Sequence, residues 1–160
     1  MNNTAPEKWL AFETGAYSLL VSTDDVQQVL ACHADFYNTT KLSRNHTTPQ
    51  SALWQGTPLP YLSLRHCWQL PSAEPGHALI LTDRQGTARV MLGVDRADHL
   101  VSSENTHLMP VEGFHPELDR YIDALWRDPQ HGTLRLQLRS VEHWLDHAMT
   151  QTENPAGATL

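Results

Sequence analysis

Leu53-Trp-Gln-Gly-Thr-Pro-Leu-Pro-Tyr-Leu-Ser-Leu-Arg65 reads as two short apolar strands broken at Gly56-Thr57-Pro58, with a lone arginine after the second. Glycine reaches backbone angles that other residues avoid, and proline lacks an amide donor, so both belong at a turn between strands. The strands are placed at residues 52–54 and 59–64, with a further turn through Trp68-Gln-Leu70.

The same signals recur outward from this stretch. Trp9-Leu-Ala-Phe12 and residues 17–21 flank Thr14-Gly-Ala and predict an opening hairpin. A second hairpin is predicted from residues 78–82 and 88–94 around Arg84-Gln-Gly86. Leu100-Val101 and Leu108-Met109 are candidate short strands, and residues 121–126 and 133–138 flank the turn-rich Asp128-Pro-Gln-His-Gly132. In Asp24-Asp-Val-Gln-Gln-Val-Leu30, the spacing of Val26, Val29 and Leu30 predicts a short helical turn capped by Thr23 or Asp24. Residues 31–51 are polar and predicted to be a long surface loop, and Pro71-Ser-Ala-Glu-Pro-Gly76 a linker. Ser140 is placed as the cap of a terminal helix with Val141, Trp144, Leu145 and Ala148 on one face. One domain is expected over residues 8–149, with residues 1–7 and 150–160 as flexible tails. Many short strands punctuated by Gly and Pro indicate a mainly-β fold.

Composition narrows the function. Of 160 residues, 40% are apolar, and 11 basic against 18 acidic residues give a formal charge of −7. Lysine occurs only at positions 8 and 41. Without a basic cluster, nucleic acid is excluded as the expected partner. Cys32 and Cys67 form no CxxC pair and are too few for a disulfide scaffold, which suits a reducing cytoplasm. Met1-Asn-Asn-Thr-Ala-Pro-Glu lacks the regions of a secretion signal, and no apolar run approaches the ~20 residues of a membrane span. The expectation is a cytoplasmic protein without direct membrane insertion.

The order of these motifs resembles the CheW-like domain, the adaptor family of bacterial chemosensory arrays, over residues 8–147. The opening strand pair with Gly15 is followed by the Val26, Val29, Leu30 segment. Gln55-Gly56 through Pro60-Tyr-Leu-Ser-Leu-Arg65 matches the central signature. Leu92-Gly-Val-Asp95, Leu108-Met-Pro110, residues 134–138 and Val141-Glu-His-Trp-Leu145 match later segments. The chain departs from the pattern at Gln55, where the family has arginine, at Ser63, where it has aspartate, at Met91, and in the polar residues 31–51.

The resemblance implies two SH3-like five-stranded β-barrels sharing an apolar seam, with a C-terminal helix. It implies a non-enzymatic adaptor without cofactor, coupling a CheA-type histidine kinase regulatory domain to the cytoplasmic tip of a methyl-accepting chemoreceptor. The kinase-facing surface is expected near residues 21–30, with Val26 and Val29, and at the turn Gln55, Gly56, Thr57. Receptor contacts are expected around Arg65 and at Gly93, Val94 and Asp95. An accessory role in pilus motility or array organisation, without kinase coupling, is an alternative.

Each residue also has a plainer reading. Arg65 suits a partner contact, but a salt bridge or carbonyl contact closing a barrel is preferred. Gly56 is read as a turn necessity, and Gln55 serves equally as contact or surface filler. His143 and His147, four apart on the final helix, have the spacing of metal ligands but lack a third, so no metal site is expected. A thiol or metal enzyme built on these histidines and a cysteine is the second alternative. Cys32-His33 and His66-Cys67 are adjacent pairs, which point apart on a strand. The five tryptophans are assigned to cores, with Trp54 or Trp68 as possible interface anchors.

Overall fold

The computed structural model describes residues 8–44, 50–102, 104, 107–109, 119–128 and 132–153. The chain is mainly β. Among the described residues, eleven strands run in the order β1 (Lys8–Thr14), β2 (Tyr17–Ser22), β3 (Val26–Ala31), β4 (Gln50–Trp54), β5 (Thr57–Ser63), β6 (His77–Thr82), β7 (Ala88–Val94), β8 (Arg96–Ser102), β9 (His107–Met109), β10 (Ile122–Asp128) and β11 (Thr133–Leu138). Helical segments among the described residues include α1 (Ala34–Thr40), α2 (Leu64–Cys67) and α3 (Leu145–Glu153), with 3-10 turns at Thr23–Asp25 and Val141–His143.

The strands form two sheets. One has six strands in the order β8-β1-β2-β11-β10-β9, the other five in the order β3-β6-β7-β5-β4. Hairpins supply the antiparallel pairs β1–β2, β4–β5, β6–β7 and β10–β11, whereas the antiparallel pairs β1–β8 and β3–β6 and one parallel pair in each sheet, β2 with β11 and β5 with β7, join distant segments. Among the described residues no ladder joins the two edges of either sheet, so the five-stranded barrels of the expectation stand here as two open sheets, one of them six-stranded.

Strand alternation builds the core on both faces of each sheet. Leu10, Phe12, Leu19 and Val21 of the six-stranded sheet meet Leu62, Leu79, Leu81, Val90 and Leu92 of the other in one large cluster. The residues between them face the opposite way. Trp9, Ala11 and Leu20 gather with Trp126, and Tyr61, Ala78, Ile80 and Met91 gather with Leu59 and Phe36. Val141, Trp144, Leu145 and Ala148, at the start of α3 and just before it, are all buried in the inter-sheet cluster, as the helical spacing predicts.

Three local expectations are corrected. The segment after Asp25 is not helical: only Thr23–Asp25 makes a turn, capped by the Ser22 hydroxyl, and β3 follows. A register shift between Val26 and Gln28 against β6 gives the misleading spacing. The extra residue turns Val26 and Val29 to one face and Gln28 and Leu30 to the other, which imitates a helical period. Within residues 31–51, α1 is anchored by buried Phe36, with Leu42 buried just beyond, and ends on left-handed Lys41. At the terminal helix, the Ser140 hydroxyl donates to the Glu142 carboxylate rather than capping the backbone. The helix also continues past Met149 to Glu153. The expected tail segments 1–7 and 154–160, residues 45–49 of the polar loop, Pro110 and residues 129–131 lie outside the described residues.

The chain passes between sheets twice among the described residues, at Thr23–Asp25 and at Asp95. Val26 follows the first crossing directly, and Asp95 forms the second.

Candidate functional site

The first cluster is built on the β4–β5 hairpin. Trp54 pairs with Thr57, leaving Gln55-Gly56 as a two-residue turn. Both have positive φ, 51° and 77°, the mark of the turn type whose twist matches paired strands. Thr57 and Pro58 therefore belong to the strand rather than the turn. Pro58 and Pro60 are tolerated because β7 reaches β5 only from Tyr61 to Ser63.

Beside the turn, Trp54 Nε1 donates to Gln28 Oε1 at 2.9 Å. This bond joins β4 and β3, the opposite edges of the five-stranded sheet. The bond sets the start of the Gln55-Gly56-Thr57 turn beside Gln28, on the face of β3 opposite to Val26 and Val29. Between the two sheets, Leu10, Thr23, residues 26–29 and Leu100 line an open groove of about 240 Å³. Leu10 and Leu100 are cross-strand partners from the six-stranded sheet. Leu100 is 63% and Val29 37% exposed, so apolar surface faces solvent at the groove.

The second cluster lies at the other end of β5, roughly 20 Å away at strand rise. The Arg65 guanidinium forks onto Asp95, Nε to Oδ1 and Nη2 to Oδ2, both at 2.8 Å. Its Nη1 donates to the Pro71 carbonyl at 2.8 Å. Asp95 Oδ2 also accepts from the Gly15 amide at 2.9 Å, and the Asp95 amide donates to the Glu13 carbonyl at 3.0 Å. The fork therefore ties α2 of one sheet to the β1–β2 hairpin of the other, at a chain crossing. The Arg65 fork holds the Asp95 carboxyl below its ordinary value, against partial burial, and the Gly15 amide adds to this. The same hydrogen bond raises Arg65.

Gly93 and Val94 are buried beside this hub and offer no side chain to solvent. A Cβ at Gly93 would run into the Tyr61 hydroxyl, so the glycine is demanded by close approach rather than by its backbone angle. Ser63, where the family has aspartate, is buried next to α2.

The remaining candidates do not assemble chemistry. Among the described residues no three His, Cys, Asp or Glu side chains gather to hold a metal. His143 instead stands beside Arg84, Nε2 to Nη2 at 3.5 Å. Burial pushes both thiols, Cys32 and Cys67, up to about 12, away from the thiolate that a nucleophile needs. Of the two candidate anchor tryptophans, Trp54 joins the sheet edges. Trp68 belongs to an aromatic series Tyr17–Trp68–Tyr121–Trp144 with centroid spacings of 5.2, 5.7 and 5.3 Å.

Sequence reasoning missed Gln28, Leu10 and Leu100. Nothing local marks them, because the groove exists only once the two sheets meet. No family model matches the sequence, and no curated protein matches it. The fold is CheW-like. It is similar to the crystal structure of the scaffolding protein TtCheW from Thermoanaerobacter tengcongensis, with a TM-score of 0.63. The two chains are 12% identical, and the likeness covers 84% of this chain and 89% of that one. No helix among the described residues is long and apolar enough to cross a membrane.

Proposed function

We propose that the chain is a non-enzymatic, cytoplasmic adaptor of a bacterial chemosensory complex, forming one domain over residues 8–149. It bridges the regulatory domain of a CheA-type histidine kinase and the cytoplasmic tip of a methyl-accepting chemoreceptor. One observation carries the reading: a fold similar to a CheW scaffolding protein carries a solvent-open groove between its two sheets, with Val29 and Leu100 exposed at it. In this reading each sheet is the wall of a small SH3-like barrel closed by side chains. The Trp54–Gln28 bond supports it for one sheet, and the packing of Val101 and Trp126 around Trp9 for the other.

The mechanism is binding without bond chemistry. The kinase docks on β3 and the β4–β5 turn, and the receptor contacts the surface near Arg65, Gly93, Val94 and Asp95. The two surfaces are linked through the sheet-to-sheet packing, so occupancy of one changes the affinity of the other. Because Gly93 and Val94 are buried, their part is to shape the backbone at that surface.

Reconstitution of receptor-bearing membranes, kinase and this chain tests the reading. Kinase autophosphorylation is expected to rise only when the chain is present, and no dependence on the chain contradicts coupling. A neutral Gln55 at the family's arginine position favours a second reading, an accessory subunit for pilus motility or array organisation. That reading predicts assembly into arrays with kinase activity unchanged.

A further inference from the structure

We propose that a strip across one end of the six-stranded sheet, running His107, Arg127, Leu134, Tyr17, docks an acidic amphipathic helix of a partner protein. This goes beyond the adaptor reading, because the strip holds none of the residues given there to kinase or receptor.

Register sets the strip. Arg127 stands opposite His107 on β9 and opposite Leu134 on β11. Two residues before the parallel pair Leu136–Leu19 come Leu134 and Tyr17. By strand alternation these four side chains share the face of Met109, Leu125, Leu136 and Leu19, which lie in or against the inter-sheet cluster. That core row is covered and the next row is not. Leu134 is 51% exposed, Arg127 and His107 are exposed, and Tyr17 is half-buried. Tyr17 meets Trp68 edge-to-face at 5.2 Å, so the strip ends on an aromatic wall. It lies at the opposite end of the sheet from the Leu10–Leu100 pair of the groove.

Charge identifies the occupant. Six of the nine arginines, Arg44, Arg65, Arg84, Arg89, Arg96 and Arg139, face a carboxylate. Arg127 has no ion-pair partner among the described residues. None of residues 14–19, 107–109, 125–127 or 133–136 is acidic. An open guanidinium therefore stands beside an uncovered leucine, and its fork matches a carboxylate. Arginine next to Tyr and Trp is also the composition of a protein interface. The formal charge of −7 sets the whole molecule against an extended anionic surface, which favours a protein segment over a membrane.

Spacing identifies its shape. Neighbouring strands lie about 4.8 Å apart, so the four side chains follow one another at steps of about 5 Å. A helix laid along the strip presents one residue per turn at about 5.4 Å, whereas an extended segment repeats a face only at about 6.7 Å. The order then reads out the partner. Apolar residues at i and i+4 meet Tyr17 and Leu134, a carboxylate at i+7 meets Arg127, and a hydrogen-bond acceptor at i+11 meets His107.

The test is fluorescence anisotropy of labelled helical peptides of about 18 residues, titrated with the full chain. One peptide carries Leu at i and i+4 and Glu at i+7; two others replace that Glu by Gln or by Lys. The Glu peptide is expected to bind at least about tenfold more tightly than the Gln peptide, with the Lys peptide weaker still. Arg127→Gln should reduce the Glu preference to less than about twofold, and Leu134→Ser should weaken the Glu and Gln peptides alike by at least about fivefold. Equal affinity of the parent chain for the Glu and Gln peptides, a Glu preference that survives Arg127→Gln, or no binding of the Glu peptide overturns the proposal. Binding of phosphatidylglycerol vesicles in place of the peptides, lost in Arg127→Gln, overturns it in favour of a membrane surface. The peptide comparison on the parent chain needs no variant, so misfolding of either variant leaves the proposal open to refutation. None of these outcomes bears on the adaptor reading, which the reconstituted kinase assay tests separately.

Discussion

Arg65→Ala should destabilise the chain even though Arg65 lies at the protein surface. The fork supplies two charge-assisted hydrogen bonds at 2.8 Å between side chains 21% and 27% exposed. Each such bond contributes about 1.5–3 kcal/mol when sheltered, and partial wetting reduces this, so we expect a loss of about 2–3 kcal/mol. For a domain of this size that lowers Tm by roughly 5–10 °C. Urea unfolding of Arg65→Ala, Asp95→Ala and the double variant closes a cycle with an expected coupling of about 1.5 kcal/mol or more. The pH dependence has a definite sign. Asp95 is depressed in the fold, so its contribution is present above the ordinary carboxylate pKa and is lost as pH falls through the folded value. The gap between the parent chain and Arg65→Ala should therefore hold at pH 7 and narrow below about pH 4. Arg65 is raised, and its contribution stays constant over that range. A coupling below about 0.5 kcal/mol would make the pair an ordinary screened surface contact and refute its role as the tie between sheets.

Three further outcomes are expected. Gly93→Ala drives a methyl group into the Tyr61 hydroxyl and should cost about 1–3 kcal/mol, with partial recovery in Gly93→Ala/Tyr61→Phe; full stability of the single variant, measured by thermal melting, would contradict the packing. Gln55→Gly removes a left-handed side-chain residue at φ 51° and should raise the urea midpoint by about 0.5–1 kcal/mol equivalent, whereas a drop would mean that the side chain stabilises the turn. With both thiols pushed up to about 12, Cys32 and Cys67 should alkylate far more slowly at pH 8 than in urea; equal rates would show that burial does not protect them.

What was legible in the sequence is what local chemistry determines. Gly56 between apolar runs marked the β4–β5 turn, Thr14-Gly-Ala and Arg84-Gln-Gly86 between apolar runs marked the opening and second hairpins, and the Val141-Trp144-Leu145-Ala148 spacing marked the buried face that leads into α3. Strand β3 was misread because a register shift at Val26 and Gln28 gave three-residue spacing to an extended chain. Helix α1 was hidden because Phe36 and Leu42, with Tyr37 packed beside them, anchor a stretch that is otherwise mostly polar. The sequence named no partner for Arg65, because the family's nearby aspartate is Ser63 in this chain. The partner is Asp95, thirty positions away, brought close by the parallel pairing of β5 and β7. Pairings between distant segments leave no periodic trace, and the groove depends wholly on them.

The central claim is that β3 and the β4–β5 turn form one docking surface for a kinase regulatory domain. Amide chemical-shift mapping of the isotope-labelled chain, titrated with that domain, tests it most directly. The account predicts shifts at both Val26–Ala31 and the Gln55-Gly56-Thr57 turn, saturating together at one stoichiometry. Shifts confined to α3 and β10, or none at saturating domain, would contradict it.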